Sequence, residues 1–371
     1  MKRRDFLGKA GAAGALIGSG LLAGCQQTDT APAATPAPAG GETIHWKMVT
    51  TWPKNFPGLG TGANNLARLI GELSGGRLQV KVFGAGELVP AMQVFDAVSQ
   101  GTAELGHGAA YYWKGKTPTA QFFAAVPFGL TAQEMNAWLY HGGGLELWRE
   151  VYEPFGLVPA AAGNSGVQMA GWFNREINEL ADLQGLKMRI PGLGGEVLQR
   201  AGGTPVQMPG GEIFTSLQSG AIDATEWVGP YNDLAFGLHK AAKYYYYPGW
   251  HEPGTTLEGL VNRAALERLP ADLQSIVMNA CRVVNEDMLA EYTHGNALAL
   301  QQLIDDPDVD VRPFPDDVLR VLKGHTQDIV DELSAKDPVW KRIAESYYAF
   351  IEKSTENQRV TEVANLATRS L

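Results

Sequence analysis

The chain has 371 residues, of which 45% are hydrophobic and 19% are charged, with 44 glycines and two cysteines. This composition excludes a disordered chain, a collagen-like fibre and a coiled coil, and the length is typical of about two domains with cores of their own. The formal net charge of −10 argues against a nucleic-acid-binding protein, which would need basic patches for the phosphates. With only two cysteines, disulfide bonds cannot stabilise a folded chain of this size, so side-chain packing must supply its stability.

Residues 1–25 carry the features of an export signal. A basic stretch with the adjacent Arg3 and Arg4 precedes a short apolar run that ends in LAGC at Cys25. The run is too short and too rich in Gly and Ala to span a bilayer stably. The arginine pair resembles a twin-arginine signal, and LAGC resembles a lipobox, in which Cys25 is acylated and becomes the mature N-terminus. An ordinary signal peptide with a chance cysteine is the alternative. Both interpretations predict a periplasmic protein.

Residues 26–42 predict a flexible, extended tether between this signal and a folded body, because they are rich in Pro, Ala and Thr and lack bulky apolar residues.

Strand and helix patterns alternate from residue 43 onward. The first part predicts strands over 43–50, 77–83 and 103–108 and helices over 61–74 and 87–100. A second part, from Gly166 to about Tyr247, predicts strands over 167–172, 187–190 and 222–227, and from about Ala264 the pattern is helical to the end. This alternation predicts an α/β fold with mostly parallel sheets covered on both faces. Cys281 lies in the helical part and is expected in the core.

Arg189 is the first candidate site residue, at the end of a short predicted strand that Pro191 helps to close. The carboxyl end of such a strand opens into the crevice where α/β folds bind ligands, and a guanidinium fork suits a carboxylate. An internal salt bridge to Asp or Glu explains a buried arginine equally well. The sequence alone leaves both interpretations open.

Glu226 is the second candidate, between small and apolar neighbours where a strand leaves the sheet. In one cleft with Arg189 and a bound carboxylate it would repel the ligand unless a cation stood between them. With no Cys or His cluster nearby, that cation would be a hard ion such as Ca²⁺ or Na⁺. A helix-capping or ion-pairing role is the alternative.

Three further features are weaker. Gln168 is a polar residue in an apolar strand pattern and could offer an amide oxygen, or it could be an ordinary hydrogen-bonded core residue. Glu252 lies in a turn-rich loop. The aromatic run Tyr111-Tyr112-Trp113 follows a predicted strand and could line a pocket or pack in a core.

Enzyme motifs are absent from the sequence. It contains no His-Glu-x-x-His, no Gly-x-Ser-x-Gly and no complete Gly-x-x-x-x-Gly-Lys-Ser/Thr phosphate loop, and its histidines show no metal-ligand spacing. These absences favour a binding protein. An exported enzyme stays an alternative, because twin-arginine signals accompany proteins that fold around a cofactor before export.

Six segments together resemble the extracytoplasmic solute receptors of tripartite ATP-independent periplasmic (TRAP) transporters, over about residues 43–350. The resemblance is greatest to the branch that binds 2-oxo acids and lactate with a metal ion. The segments are TTWPKNFPGLGTGA, GHGAAYYWKGK, GVQMAGWFNREI, LKMRIPGLGGEV, AIDATEWVGPYND and KYYYYPGWHEPG.

The resemblance implies a role for each candidate residue. Arg189 would hold the substrate carboxylate, and Gln168 would contact the substrate beside the metal. The metal ligands would be Glu226, the backbone carbonyl of Trp227 and Glu252. Tyr111 and Tyr112 correspond to pocket aromatics, with the one that touches ligand left open, and His251 is expected to vary without affecting coordination.

The same resemblance implies a two-domain periplasmic binding protein fold with the ligand cleft between the domains and a long connecting helix. The expected limits are 43–165 plus about 255–290 for the first domain and 166–254 plus about 291–371 for the second. A homodimer is also implied. The apolar stripe of the predicted helix over 340–352 could contribute to it or could pack in its own domain.

The function that follows is a non-enzymatic receptor for a small 2-oxo or 2-hydroxy monocarboxylate such as pyruvate or lactate. It would bind its ligand with Na⁺ or Ca²⁺ and deliver it to a membrane permease. A receptor for a dicarboxylate or a sugar acid is the nearer alternative, and an exported enzyme the more distant one.

Overall fold

A computed structural model describes residues 42–369 and residue 371. The predictions on Cys25, on the export signal and on the tether up to residue 41 lie outside the described residues. Among those described, no helix is both long enough and apolar enough to cross a membrane.

The described chain is an α/β structure. Its strands are β1 (Ile44–Thr50), β2 (Leu78–Phe83), β3 (Leu105–Gly108), β4 (Leu157–Asn164), β5 (Gly171–Phe173), β6 (Lys187–Arg189), β7 (Thr204–Val206), β8 (Ala224–Thr225), β9 (Tyr244–Tyr247), β10 (Thr256–Asn262) and β11 (Asp310–Pro313). Its α-helices are α1 (Leu59–Leu73), α2 (Val94–Ser99), α3 (Ala132–His141), α4 (Gly144–Tyr152), α5 (Gly192–Arg200), α6 (Ile213–Gln218), α7 (Pro230–Phe236), α8 (Arg263–Glu267), α9 (Ala271–Ile304), α10 (Asp316–Lys336), α11 (Pro338–Val360) and α12 (Glu362–Thr368).

The strands form two separate sheets. The first has the order β2-β1-β3-β10-β4 and the second the order β11-β9-β5-β8-β6-β7. Strands β5 and β10 run antiparallel to both of their neighbours, so the expectation of mostly parallel sheets holds only for the remaining pairs. Each of these antiparallel strands directly follows a short segment in which the chain crosses between the sheets, and a third crossing, from β10 to β11, runs through α8 and α9. We call residues 165–170 and 248–255 the crossing segments.

We call the elements around the first sheet the first half and those around the second sheet the second half. Helix α9 is 34 residues long and contacts elements of both halves. It packs on β4 and α1 of the first half and on α7, which follows β8 of the second. Cys281 is fully buried in this helix, as expected. At Gly58 the backbone takes φ +68°, and a Cβ there would collide with the ring of Tyr292 on α9, so this approach of α1 to α9 needs glycine.

Four predictions differ from the observed elements. The part expected to be helical from about Ala264 to the end is interrupted by strand β11, which pairs with β9 in the second sheet. The strand expected over 167–172 begins only at Gly171, because residues 165–170 form the first crossing segment. The helix expected over 87–100 is reduced to a 3₁₀ turn and α2, since Pro90 precedes the turn. The strand expected over 222–227 is only Ala224–Thr225.

The apolar stripe of α11 packs within the chain. Trp340 contacts Phe122 with ring centroids 4.7 Å apart, and Tyr347 contacts Trp138 at 5.1 Å. The hydroxyl of Tyr347 also accepts a hydrogen bond from the backbone N–H of Leu130 at 2.8 Å. Of the two interpretations of this stripe, the structure favours packing within the chain over a dimer contact. The domain limits stay a prediction, and these contacts join α11 to residues expected in the first domain.

Candidate functional site

Arg189 ends strand β6, which lies between the parallel strands β7 and β8. Its side chain is only 1% exposed, and the guanidinium lies 5.0 Å from the ring centroid of Trp227. Nη2 donates to the hydroxyl of Tyr112 at 3.2 Å, and Nη1 donates to the carbonyl of Glu226 at 3.2 Å. Nη1 also forms an ion pair with the carboxylate of Glu226. The two strongest candidates therefore pair with one another.

The negative charge of Glu226 is the main influence that raises the pKa of the Arg189 guanidinium. Burial lowers the pKa of Arg189, but the charge of Glu226 and the nearby Tyr111 and Tyr112 outweigh it, so the pKa lies above its ordinary value. Arg189 therefore stays charged. A charged guanidinium with an unpaired Nε–H group is suited to a second carboxylate.

Glu226 directly follows β8, and its backbone N–H donates to the carbonyl of Arg189 at 3.2 Å. Oε1 of its carboxylate is used by Arg189, whereas Oε2 makes no hydrogen bond although it is buried. Nε2 of His251 lies 3.4 Å from this oxygen. An unsatisfied buried carboxylate oxygen is costly, so a further partner is expected here.

The two crossing segments bring Gln168 and Glu252 together. The backbone N–H of Gln168 donates to the carbonyl of Glu252 at 3.2 Å, and Nε2 of Gln168 donates to the Glu252 carboxylate at 2.8 Å. A Cβ at Gly249 would collide with the carbonyl of Gln168, so this close approach needs glycine. Oε1 of Gln168 is buried without a partner. Burial and the charge of Glu226 raise the pKa of Glu252.

Tyr111 and Tyr112 reach the site from a 3₁₀ helix that follows β3. The hydroxyl of Tyr111 donates to Glu252 at 3.3 Å, while that of Tyr112 accepts from Arg189. Burial raises the pKa of Tyr112 to about 12 and that of Tyr111 well above its ordinary value, so both hydroxyls stay protonated. Both rings thus line the site, with Tyr111 beside Glu252 and Tyr112 beside Arg189.

The Trp227–Val228 peptide is fixed by a buried carboxylate. The N–H of Val228 donates to Asp233 at 3.4 Å, and Asp233 also accepts from Trp172 at 3.0 Å and from Tyr245 at 2.8 Å. Burial raises the pKa of Asp233 to about 7. Because N–H and C=O point in opposite directions in a trans peptide, the carbonyl of Trp227 points away from Asp233.

The donor set fits a hard cation. One ligand atom each from Glu226, His251 and Glu252 lie within 4.8 Å of one another, and all three residues are buried. The unpartnered Oε1 of Gln168 and Oε2 of Glu226 add oxygen donors, the type that Na⁺ and Ca²⁺ prefer. A cation would also offset the cost of two buried carboxylates that share one arginine.

The structure thus brings Gln168, Arg189, Glu226, Trp227 and Glu252 to one place, while their assigned roles stay predictions. Sequence reasoning missed His251 as a member of this cluster. Its partners lie on other segments, so no ligand spacing could reveal it, and its position next to Glu252 was the only signal. Thr255 and Ser165, which bond to Gln168, were missed for the same reason.

Residues 48–337 match the family described as DctP, bacterial extracellular solute-binding protein, family 7. The chain belongs to this family. Over the full length of both proteins it is 44% identical to a monocarboxylate 2-oxoacid-binding periplasmic protein of Nostoc sp.. The protein is therefore an extracytoplasmic solute receptor of the TRAP transporter type.

Solved structures of TRAP solute-binding proteins have the same fold as this receptor. One from Pseudoalteromonas atlantica, with bound sodium and pyruvate, is 42% identical with a TM-score of 0.86, covering 88% of this chain and 99% of that one. One from Colwellia psychrerythraea, with bound calcium and pyruvate, is 41% identical with a TM-score of 0.86, covering 88% and 100%. One from Bordetella bronchiseptica, a mixed occupancy dimer with calcium and picolinate, is 40% identical with a TM-score of 0.87, covering 89% and 98%. The predicted two-domain periplasmic binding protein fold with its long helix is confirmed.

Proposed function

We propose that the receptor binds a small 2-oxo or 2-hydroxy monocarboxylate together with Na⁺ or Ca²⁺ and delivers it to a TRAP permease. One observation carries the proposal: a charged, buried Arg189 lies beside carboxylate and amide oxygens that lack partners. The arginine suits a carboxylate, and the free oxygens of Glu226 and Gln168 suit a cation. No nucleophile with an activating base accompanies them in the described chain, which favours a receptor over an enzyme.

Glu226, Gln168, Glu252 and the carbonyl of Trp227 would hold the cation. Bound there, it would supply the positive charge that lets an anionic ligand enter beside two carboxylates. Glu226 and Tyr112 bond to Nη1 and Nη2 of Arg189, whereas the buried Nε–H group of this arginine has no partner. The carboxylate of the acid would bind on the Nε side, so that Glu226 can stay paired with the guanidinium.

The ligands of the related structures have one chemical feature in common. Pyruvate and picolinate each carry a carboxylate with a second donor atom on the neighbouring carbon or ring position. Such a pair of donors can chelate one cation while the carboxylate also meets an arginine. This supports a 2-substituted carboxylate for the present receptor and disfavours plain fatty acids.

A thermal-shift screen tests the proposal on the chain from Gln26 onward, which lacks only the signal. Pyruvate, other 2-oxo acids, lactate, picolinate, a dicarboxylate and a sugar acid are each added with Ca²⁺, with Na⁺ or with a chelator. We expect a cation-dependent rise in melting temperature for a 2-oxo or 2-hydroxy acid, because a ligand of the native state stabilises it by mass action. Protein unfolded and refolded without ligand excludes masking by copurified acid. A response limited to dicarboxylates or sugar acids would contradict the proposal.

We further propose that export uses the twin-arginine signal and that Cys25 carries a lipid anchor. The Arg3-Arg4 pair and the LAGC segment support this. The mass of the protein from the membrane fraction should include the lipid. Cys25→Ala should release the receptor from that fraction, and equal membrane retention of the variant would contradict the anchor.

Finally, we propose that the receptor forms a homodimer through its C-terminal end. Val360, Val363 and Leu366 are more than half exposed, at 60%, 59% and 51%, and the Bordetella relative is described as a dimer. Light scattering should give twice the chain mass. The double variant Val363→Asp, Leu366→Asp should give the single mass, and a monomeric wild type at high concentration would refute the dimer.

A further inference from the structure

Thr255 connects the two crossing segments through its side chain. Its hydroxyl donates to Oε2 of Glu252 at 2.5 Å and accepts a hydrogen bond from Nε2 of Gln168 at 3.2 Å. The direction of each bond follows from chemistry, because a carboxylate that holds a cation is ionised and only accepts, and the amide nitrogen only donates. The result is a chain of bonds from Gln168 through Thr255 to Glu252, in which each bond polarises the next.

This chain of bonds fixes which end of the Gln168 amide faces the site. Nε2 faces three oxygens, from Glu252, Thr255 and, at 3.1 Å, Ser165. The reversed amide would place its carbonyl oxygen against the carboxylate of Glu252, which is repulsive. Oε1 is consequently turned away from these groups and left buried without a partner.

We propose that Thr255 is a positioning residue for cation binding, a role that rests on the proposed function above. Its hydroxyl aligns two ligands at once: it holds the Gln168 amide with the carbonyl oxygen free, and it holds one oxygen of the Glu252 carboxylate so that the other keeps a fixed direction. Thr255 itself does not touch the cation.

The backbone around Thr255 makes this support rigid. The residue is fully buried, and its carbonyl accepts from the N–H of Ser165 on the other crossing segment at 3.0 Å. The following residue, Thr256, begins β10, and its N–H donates to the carbonyl of Ala124 at 3.0 Å. The backbone that carries the hydroxyl of Thr255 is therefore held by hydrogen bonds to the other crossing segment and, through Thr256, to Ala124.

The test is Thr255→Val, which removes the hydroxyl and keeps the shape. We expect Ca²⁺ affinity, measured by calorimetry on chelator-treated protein, to fall about 10–100-fold, as for other residues that orient metal ligands. Thr255→Ser restores the hydroxyl and should bind Ca²⁺ within about threefold of the wild type by the same argument. Thr256→Val is the matched control, because that neighbouring hydroxyl is equally buried but accepts from Asn164 instead; it should leave Ca²⁺ affinity unchanged.

A merely structural role predicts a different pattern. It would lower the melting temperature of the cation-free protein in Thr255→Val and Thr256→Val alike, with no selective loss of Ca²⁺ binding. Should Thr255→Val fail to fold, Thr255→Cys, with a weaker hydrogen-bonding group, must show the same loss of Ca²⁺ affinity in smaller measure. Wild-type Ca²⁺ affinity in the folded valine or cysteine variant overturns the assignment of Thr255 and leaves the proposed function standing. A wild type that binds pyruvate without any cation dependence overturns both.

Discussion

Arg189 and Glu226 form an ion pair in which both side chains are 1% exposed, so each charge depends on the other for compensation. In a receptor such a pair has a second use, because the guanidinium keeps its Nε–H group unpaired and can offer it to a ligand carboxylate. Binding is then conditional, because the negative charge that the acid brings beside Glu226 must be compensated by a cation. This reasoning gives two predictions at the level of single residues.

Arg189→Ala should lower the affinity for pyruvate at saturating Ca²⁺ by at least about 30-fold, since removing one partner of a buried charged pair costs about 2–5 kcal/mol. Arg189→Lys keeps the charge but loses the two-pronged geometry and should lie between the alanine variant and the wild type. Calorimetric titration of each variant measures the loss. Wild-type affinity in the alanine variant would exclude Arg189 from the carboxylate site.

Glu226→Gln should weaken Ca²⁺ and pyruvate binding together. The amide keeps the size of the side chain but removes the charge that holds the cation, and any coupling between two ligands is reciprocal. In the wild type, saturating pyruvate should raise Ca²⁺ affinity by the same factor by which saturating Ca²⁺ raises pyruvate affinity. In the variant this shared factor should fall towards one. The measurement consists of Ca²⁺ titrations with and without pyruvate and pyruvate titrations with and without Ca²⁺. If the coupling factor in the variant equals that of the wild type, Glu226 is not part of the cation site.

At the level of single elements, strand β10 carries an acid in the middle of the first sheet. Glu258 is fully buried and accepts hydrogen bonds from Trp113 and, at 2.8 Å, from Tyr152. Burial outweighs these bonds and raises the pKa of Glu258 from 4.5 to about 7. Since the folded state binds this proton more tightly than the unfolded state, the contribution of Glu258 to the free energy of unfolding is largest below pH 4.5 and is lost as the pH rises through about 7.

Glu258→Gln should remove this pH dependence. The amide oxygen can still accept from Trp113, and the NH₂ group can donate to the hydroxyl of Tyr152. Relative to the wild type, the free energy of unfolding of the variant should rise by about 1–3 kcal/mol between pH 5 and pH 8. Urea unfolding of both proteins at the two pH values measures it. A difference that stays constant with pH would show that Glu258 titrates normally in the fold.

The elements also show which parts of the secondary structure the sequence alone predicts. Strand β1 and helix α1 were predictable because their residues alternate or repeat with the period of the element. The crossing segment before β5 was not, because an apolar stretch around Gln168 has the same pattern whether it pairs in a sheet or crosses between two. Strand pairing across long separations, such as β10 with β3 and β4, leaves no local signal at all.

The residues of the candidate site likewise differ in whether the sequence alone predicts them. Arg189 and Glu226 stand out as charges among buried neighbours, so local pattern and family resemblance both find them. His251 and Thr255 gain their positions only from contacts between the crossing segments, which tertiary structure creates. The pairing of Arg189 with Glu226 also shows that an ion-pair interpretation and a ligand-site interpretation of a buried arginine are compatible.

At the scale of the whole molecule, aromatic contacts join the two halves beside the site. Phe56, in the loop before α1, stacks on Phe236 of α7 with ring centroids 4.2 Å apart and contacts Trp227 edge-on at 6.3 Å. Nearby, Nδ2 of Asn232 donates to the carbonyl of Pro57 at 3.0 Å. Loops of the first half thus pack on residues that follow β8 in the second, and Trp227 links this contact to Arg189 of the site.

We expect this contact to hold the cleft closed over the ligand. Phe236→Ala removes one ring of the stacked pair, a ring that also contacts Trp227 at 5.1 Å but supplies no predicted ligand atom. An aromatic pair is worth about 0.5–1.5 kcal/mol, or about 2–12-fold in affinity. The loss should lie mainly in faster pyruvate dissociation, measured by stopped-flow displacement, because an open cleft releases ligand sooner. Phe155→Ala is the control: this half-buried ring contacts Phe95 at 5.0 Å within the first half only. Equal dissociation rates in both variants would mean that closure depends on other contacts, whereas a faster rate in Phe236→Ala alone assigns it to the aromatic pair.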